Sequence, residues 1–162
     1  MSATIRRGSR LDMRDTAALL NEIISVGGTT ALTEPLTEQA LSDWLSADAD
    51  RSAWHVAEAG GRVVGFQWIG PFPNLPPEAC EIGTFVKTGQ TGLGIGSRLF
   101  DATRKEARRL GYSWINANIR ADNEGGLIFY QSRGFRDYGR LEDVALESGA
   151  LVDKILKRFD LD

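Results

Sequence analysis

Cysteine is nearly absent from this sequence: Cys80 is the only one among 162 residues. No internal disulfide can form, which fits a reducing, cytoplasmic setting. Histidine is as scarce, with His55 alone. One cysteine and one histidine cannot assemble a Cys/His metal cluster, and no carboxylate spacing suggests a metal loop, so no metal is expected. Apolar runs of membrane-spanning length are missing, and so is an apolar segment near the N-terminus. Neither a membrane span nor a secretory leader is expected. Positive charge is in deficit: 19 Lys and Arg against 22 Asp and Glu leave a formal net charge of −3. That argues against nucleic acid as the main partner. Proline is sparse, and four of the five lie between Gly70 and Pro77, which makes that stretch a loop. Its Phe72 and Leu75 suit a pocket wall or a contact surface, and equally a loop packed on its own domain. Internal repeats and low-complexity tracts are also lacking.

What remains is an ordinary globular balance, 42% hydrophobic and 25% charged. The length suits one domain over residues 1–162 with a real core. Ala3 to Arg7 reads as a first strand. Asp12 can cap a helix with a stripe of Met13, Ala17, Leu20, Ile23 and Ile24, stopped by Gly27-Gly28. Thr37 can cap a second helix carrying Leu41, Trp44 and Leu45. Ser52 to Glu58 and Arg62 to Gly70, parted by Gly60-Gly61, read as a hairpin. Trp114 to Ile119 reads as a later strand, Ala121 to Arg133 as a short helix. Phe135 to Leu146 and Ala150 to Leu161 close the chain as strands. Strands thus interleave with a few helices, mostly with antiparallel neighbours, giving an α+β or mixed α/β class.

The organising stretch runs from Cys80 to Leu110. An extended apolar run, Ile82-Gly83-Thr84-Phe85-Val86, is followed by Thr91-Gly92-Leu93-Gly94-Ile95-Gly96-Ser97. A helical pattern then opens near Gly94, with Ile95, Leu99, Thr103, Ala107 and Leu110 on one face and Gly111 at its end. Strand, glycine turn and helix N-terminus make an anion cradle. Unpaired N–H groups point outward there, and the helix dipole favours negative charge. A Walker P-loop is set aside, because no Gly-Lys-Ser/Thr follows. A Rossmann fingerprint fails on spacing and on its place in mid-chain. Asp101 and Lys105 are spaced for an i,i+4 ion pair on the exposed, basic face of this helix.

The turn resembles the pyrophosphate loop of the GNAT N-acetyltransferases, Q/R-x-x-G-x-G/A, with Gly94 and Gly96 at the small positions. Thr91 stands where the family has Gln or Arg, with Gln90 one residue early. A second signature follows: Asn123, then a helix ending Phe129-Tyr130-Gln131-Ser132-Arg133-Gly134-Phe135. The resemblance covers essentially the whole chain, and it looks most like the phosphinothricin and amino-acid N-acetyltransferase branch. It implies a central, mostly antiparallel, splayed sheet of about seven strands flanked by about four helices. It also implies acetyl-CoA as cosubstrate, with Thr91, Gly92, Leu93, Gly94, Ile95, Gly96 and Ser97 receiving the diphosphate. Phe85 and Val86 would pair their backbone with the pantetheine arm, and a β-bulge near Gly83 is usual. Asn123 matches a pantetheine-contacting residue, although helix capping is an equal use for it. Arg98 and Arg133 are weaker phosphate candidates.

Attack of an amine on a thioester expels a thiolate, and a phenol donating to that sulfur eases its departure. A positioned acid is typically worth about 10²–10⁴-fold. Tyr130 matches the family position for that role. The amine must first lose a proton, so a base is needed, directly or through water. Glu81, just before the apolar run, is the first candidate; His55 is a second by chemistry alone. The reading is direct acetyl transfer to a primary amine of a small molecule, an amino acid or related amine. The stretch from Gly27 to Pro35, Trp68 and the Pro-rich loop are expected to line its pocket, and a homodimer through the last strands is plausible in this branch. A protein lysine or N-terminal acetyltransferase and a non-catalytic CoA-binding module are the alternatives.

Overall fold

Burial without alternation marks the middle of the sheet. Arg62–Gly70 is buried at eight successive positions, because helices cover both of its faces. A computed structural model describes residues 3–90 and 94–162. In chain order the elements are β1 (Thr4–Arg7), α1 (Met13–Val26), α2 (Glu38–Ser46), β2 (Ala53–Ala59), β3 (Arg62–Gly70), β4 (Ala79–Val86), α3 (Ile95–Arg109), β5 (Trp114–Arg120), α4 (Glu124–Ser132), β6 (Arg136–Ala145) and β7 (Leu151–Asp160). The seven strands form one sheet in the order β1-β2-β3-β4-β5-β7-β6. This is the mixed α/β class expected, with four α-helices among the described residues.

Every strand pair is antiparallel except β4 with β5. That pair is joined by α3, the kind of crossover a parallel connection requires. Its register holds for only three residue pairs, Ala79↔Trp114, Cys80↔Ile115 and Glu81↔Asn116. Beyond them β4 continues on β3 as far as Val86, while β5 stays on β7 through Arg120. The two strands part after Glu81, which is the expected splay.

The core sits in two layers. Helices α1 and α2 cover one face, where Leu20, Ile24, Leu41 and Leu45 pack on Trp54, Val56, Phe66, Trp68 and Phe85. Helix α3 covers the other. Ile95 and Leu99 meet Ala57 and Val64, and Phe100 and Ala107 join Ile69, Cys80, Ile82, Ile115 and Tyr130. Leu20, Leu41, Phe66, Leu99 and Ile115 are wholly buried, each worth about 1.5–3 kcal/mol against exposure.

Three local expectations are corrected. Asp12 precedes α1 but its side chain does not cap it. A 3₁₀ turn over Arg10–Asp12, capped by Ser9, runs straight into the helix, so Asp12 is already helical in φ and ψ. Its carboxylate instead accepts both Arg6 amines at 2.8 and 2.7 Å, and Arg6 also reaches Glu58. No bulge interrupts β4 at Gly83, since the register on β3 is continuous. The room there is taken by the Phe85 ring, which a Cβ at Gly83 would meet at 3.1 Å. The Asp101–Lys105 pair is not among the ion pairs of the described residues; Glu106 binds Arg109 and Arg7 on that helix instead.

Candidate active site

Helix α4 follows directly on β5 and reaches β4 through Tyr130, beyond the point where the two strands part. Its N-cap is Asn123, whose Oδ1 accepts from the Gly126 N–H at 3.0 Å. The Asn123 Nδ2 donates to the Thr29 carbonyl at 3.3 Å, and Arg120 donates to the Thr30 carbonyl at 3.1 Å. The connection after α1 is thereby strapped over the end of β5 and the start of α4. Both ends of the Asn123 amide are engaged in this work. Asp122, one residue earlier, is paired with Arg120.

Tyr130 lies on the buried side of α4, its ring against Phe129 and Phe135. Its hydroxyl is 2.7 Å from Thr84 Oγ1. Thr84 stands on β4 beyond the last residue paired with β5, so the phenol sits at the mouth of the splay. Thr84 Oγ1 in turn accepts from Gln67 Nε2 at 2.9 Å, and Gln67 is wholly buried on β3. Burial raises the Tyr130 phenol above its ordinary range, and the Thr84 contact works against that shift. At neutral pH Tyr130 is therefore a phenol with a proton to give.

Glu81 approaches from the other face. Cys80 and Ile82 pack with α3, so their neighbour Glu81 points to the opposite side of β4. It is 7% exposed. Its carboxylate accepts from Asn116 Nδ2 at 2.6 Å, because the parallel register sets those two residues side by side. The Tyr138 hydroxyl donates to Asn116 Oδ1 and orients the amide. Burial raises the Glu81 pKa to about 7, with Asn116 and the charge of Lys154 opposing the rise. A carboxylate poised there can take a proton near neutrality.

The structure does not bring His55 to this place. It lies on β2, opposite Arg7 and Gln67, with β3 between it and β4. Burial lowers its pKa to about 4, and its Nδ1 is buried without a partner. Cys80 is wholly buried, and burial drives its thiol far above the ordinary range.

At the other end of the splay, α3 begins at Gly94 in the left-handed region, φ 77°, where a side chain would be strained. Its N-cap, Gly94, has no side chain to cap the helix, and its first turn holds no acidic residue. The first helical bond runs from Arg98 N–H to the Gly94 carbonyl. The amides of Ile95, Gly96 and Ser97 precede that bond and have no helical carbonyl to reach, at the end where the dipole favours an anion. Gly96 lets α3 approach α4: a Cβ there would lie 2.9 Å from the Phe129 ring. Thr91, Gly92 and Leu93 lie outside the described residues. Phe85 keeps its side chain in the core, stacked on Phe66, and Val86 packs beside Ile95 and Leu99. The Lys87 N–H bonds to the Val64 carbonyl, so by antiparallel alternation Phe85 turns its backbone groups to β3 and Val86 turns its own to the side that β5 has left.

Of the expected acceptor lining, Trp68 is buried beside Trp44 with its Nε1 unpartnered, and Phe72 of the Pro-rich loop is exposed. Two surface depressions, of about 540 and 260 Å³, lie elsewhere, around α1 and the β2–β3 turn. Their walls are largely ion pairs already satisfied, such as Arg6–Asp12 and Arg62–Asp15, and neither contains Glu81 or Tyr130. Glu81 and Tyr130 stand instead at the splay. Sequence reasoning missed Thr84, Gln67, Asn116 and Tyr138 as its supports. A lone glutamine inside the apolar run Val63 to Ile69 was the one legible sign.

Residues 18–135 match the family model described as "Acetyltransferase (GNAT) family". The chain is 28% identical to the phosphinothricin N-acetyltransferase of Streptomyces viridochromogenes, over 92% of this chain and 82% of that protein. It is 28% identical to the L-methionine sulfoximine/L-methionine sulfone acetyltransferase of Pseudomonas paraeruginosa, over 100% and 96%. Among solved structures, an N-acetyltransferase from Staphylococcus aureus superposes with a TM-score of 0.90 at 26% identity, covering all of both chains.

Proposed function

The chain belongs to the GNAT acetyltransferase family, and we propose that this N-acetyltransferase acetylates the amino group of an amino-acid-like small molecule. The observation that carries the reading is the convergence of Glu81 and Tyr130 from opposite faces on the point where β4 and β5 part. The named substrates of two relatives, phosphinothricin and methionine sulfoximine, support that acceptor class.

Acetyl-CoA supplies the acetyl group as an activated thioester, and the residues present fit it. The N-terminus of α3, with a glycine at its cap and no acidic residue in its first turn, suits a diphosphate. Gly94, Ile95, Gly96 and Ser97 would hold that group, with Thr91, Gly92 and Leu93 before them. The end of β4 at Phe85 and Val86, where the Val86 backbone is turned to the splay, would take the pantetheine arm as an added strand. Asn123 serves as the cap of α4 and the anchor of Thr29, and we assign it that role instead of a pantetheine contact.

Glu81 takes a proton from the acceptor's ammonium, leaving a lone pair for attack. Its elevated pKa matches the task, since a base that ionises near pH 7 is both available and strong enough. Tyr130 gives its proton to the departing sulfur. A cytoplasmic site of action fits the single buried thiol. A homodimer would use β6, which lies at the sheet edge and exposes Tyr138 and Leu141.

Thiol release from acetyl-CoA against amino acids, their phosphinate and sulfoximine analogues, polyamines, aminoglycosides and peptides tests the reading. Turnover is expected with the small amino-acid analogues. Turnover confined to peptides would point to a protein acetyltransferase. Tight CoA binding without any turnover would point to a binding module. For Tyr130→Phe we predict a fall in kcat of about 10²–10³-fold with little change in acceptor KM, measured by the same assay.

A further inference from the structure

Among the buried groups that the mechanism does not use, one touches the residue that holds the Tyr130 hydroxyl. Gln67 is wholly buried in a strand at the centre of the sheet. Among the described residues its Nε2 makes one bond, to Thr84, and its Oε1 has no partner. A buried amide half satisfied in this way costs stability, and an apolar side chain would serve packing better. Cross-strand register places Gln67 directly opposite Thr84, and Thr84 is the residue that touches the Tyr130 hydroxyl.

We propose that Gln67 and Thr84 are positioning residues that set the direction of the Tyr130 proton. The proposal rests on the reading of Tyr130 as proton donor. An amide N–H can only donate, so Gln67 fixes Thr84 Oγ1 as an acceptor. The Thr84 hydroxyl hydrogen then goes to Tyr130 Oη, 2.7 Å away. With that lone pair taken, the phenol's own hydrogen is turned away from the sheet and into the splay.

The arrangement also serves the step itself. The acceptor nitrogen's lone pair forms the new N–C bond while the C–S bond breaks and its electron pair goes to sulfur. The Tyr130 O–H proton passes to that sulfur and yields the free thiol. Glu81 passes the ammonium's first proton to solvent before attack, and the second proton, lost from nitrogen as the N–C bond forms, leaves by the same route. Tyr130 is left as a phenolate, which keeps the Thr84 hydrogen bond until water returns its proton. A hydrogen bond to an ionised oxygen is stronger than one to a neutral oxygen, so Thr84 favours the transition state over the ground state.

The test compares Thr84→Val, Thr84→Ala, Thr84→Ser and Gln67→Leu, each alone and with Tyr130→Phe. Single-turnover acetyl transfer is measured at saturating acetyl-CoA and acceptor, and CoA affinity by calorimetry. Thr84→Val should slow transfer about 10- to 100-fold, the range for a lost bond to a charged group, with CoA affinity held within about twofold. Thr84→Ala reports the same loss should the valine variant fail to fold. Thr84→Ser should stay within about threefold of the parent, and Gln67→Leu should fall between. In the Tyr130→Phe background, Thr84→Val should add nothing further. Full transfer by Thr84→Val and Thr84→Ala, with Tyr130→Phe still slow, would overturn the proposal and leave the acid in place. Losses that add to those of Tyr130→Phe, or that track weaker CoA binding, would overturn it also. Full activity in Tyr130→Phe would remove both the proposal and the reading beneath it.

Discussion

Glu81 carries the clearest conflict between stability and function at the scale of one residue. Its folded pKa, about 7, lies above its ordinary value of 4.5. The folded state therefore binds more protons than the unfolded chain between those pH values, and stability falls as pH rises through that window. Above pH 7 the penalty is constant, with an upper bound on the order of 3 kcal/mol from the shift. Glu81→Gln should thus be more stable than the parent at pH 8 and nearly equal to it at pH 4, as read by denaturant titration at both values. The same ionisation should shape catalysis. The parent's kcat/KM should climb with pH and level off above about 7, because the base acts only when ionised. Glu81→Gln should lose that ascending limb along with most of its activity. A limb that survives in the variant would transfer the base to another group. The sequence marked Glu81 as an acid beside an apolar strand, but its pKa comes from burial and from Asn116, a residue on another strand.

At the scale of elements, the site depends on the fit between the first turn of α3 and the side of α4. Gly96 is the contact point, facing the Phe129 ring. Gly96→Val should push Phe129 away and with it the helix that carries Tyr130. We predict a loss of about 1–3 kcal/mol in stability, typical of overpacking, together with weaker CoA binding. Thermal melting and calorimetry measure the two, and a variant unchanged in both would remove the argument. Both helices were legible in the sequence. Their caps were less so. Asn123 was recognisable as a cap because its oxygen reaches an amide three residues on, whereas Asp12 was misread because Arg6, from another element, claimed its carboxylate. Local chemistry names the candidates for a cap, and tertiary partners choose among them.

The whole molecule is a sheet divided at one seam. All the pairing that crosses from its first four strands to its last three passes through three residue pairs of β4 and β5. Strand β6 lies at the outer edge of the second half and exposes Tyr138 and Leu141, the contact proposed above for a homodimer. Light scattering after size exclusion should report a dimer, and Leu141→Glu should convert it to a monomer by burying a charge at the contact. A monomer at all concentrations would exclude that arrangement.

The sequence by itself determined the order of strands and helices, the glycine turn before α3, and the placing of Tyr130 on α4. Each of these is written in spacing over a few neighbouring residues, where propensity and periodicity act directly. Tertiary structure alone decided that β4 and β5 separate after Glu81, that Asn116 stands beside that carboxylate, and that a glutamine from β3 reaches the phenol through Thr84. Those relations join residues 17 to 46 positions apart. They follow from strand register, which is fixed by how the two buried faces pack and leaves no local trace in the chain.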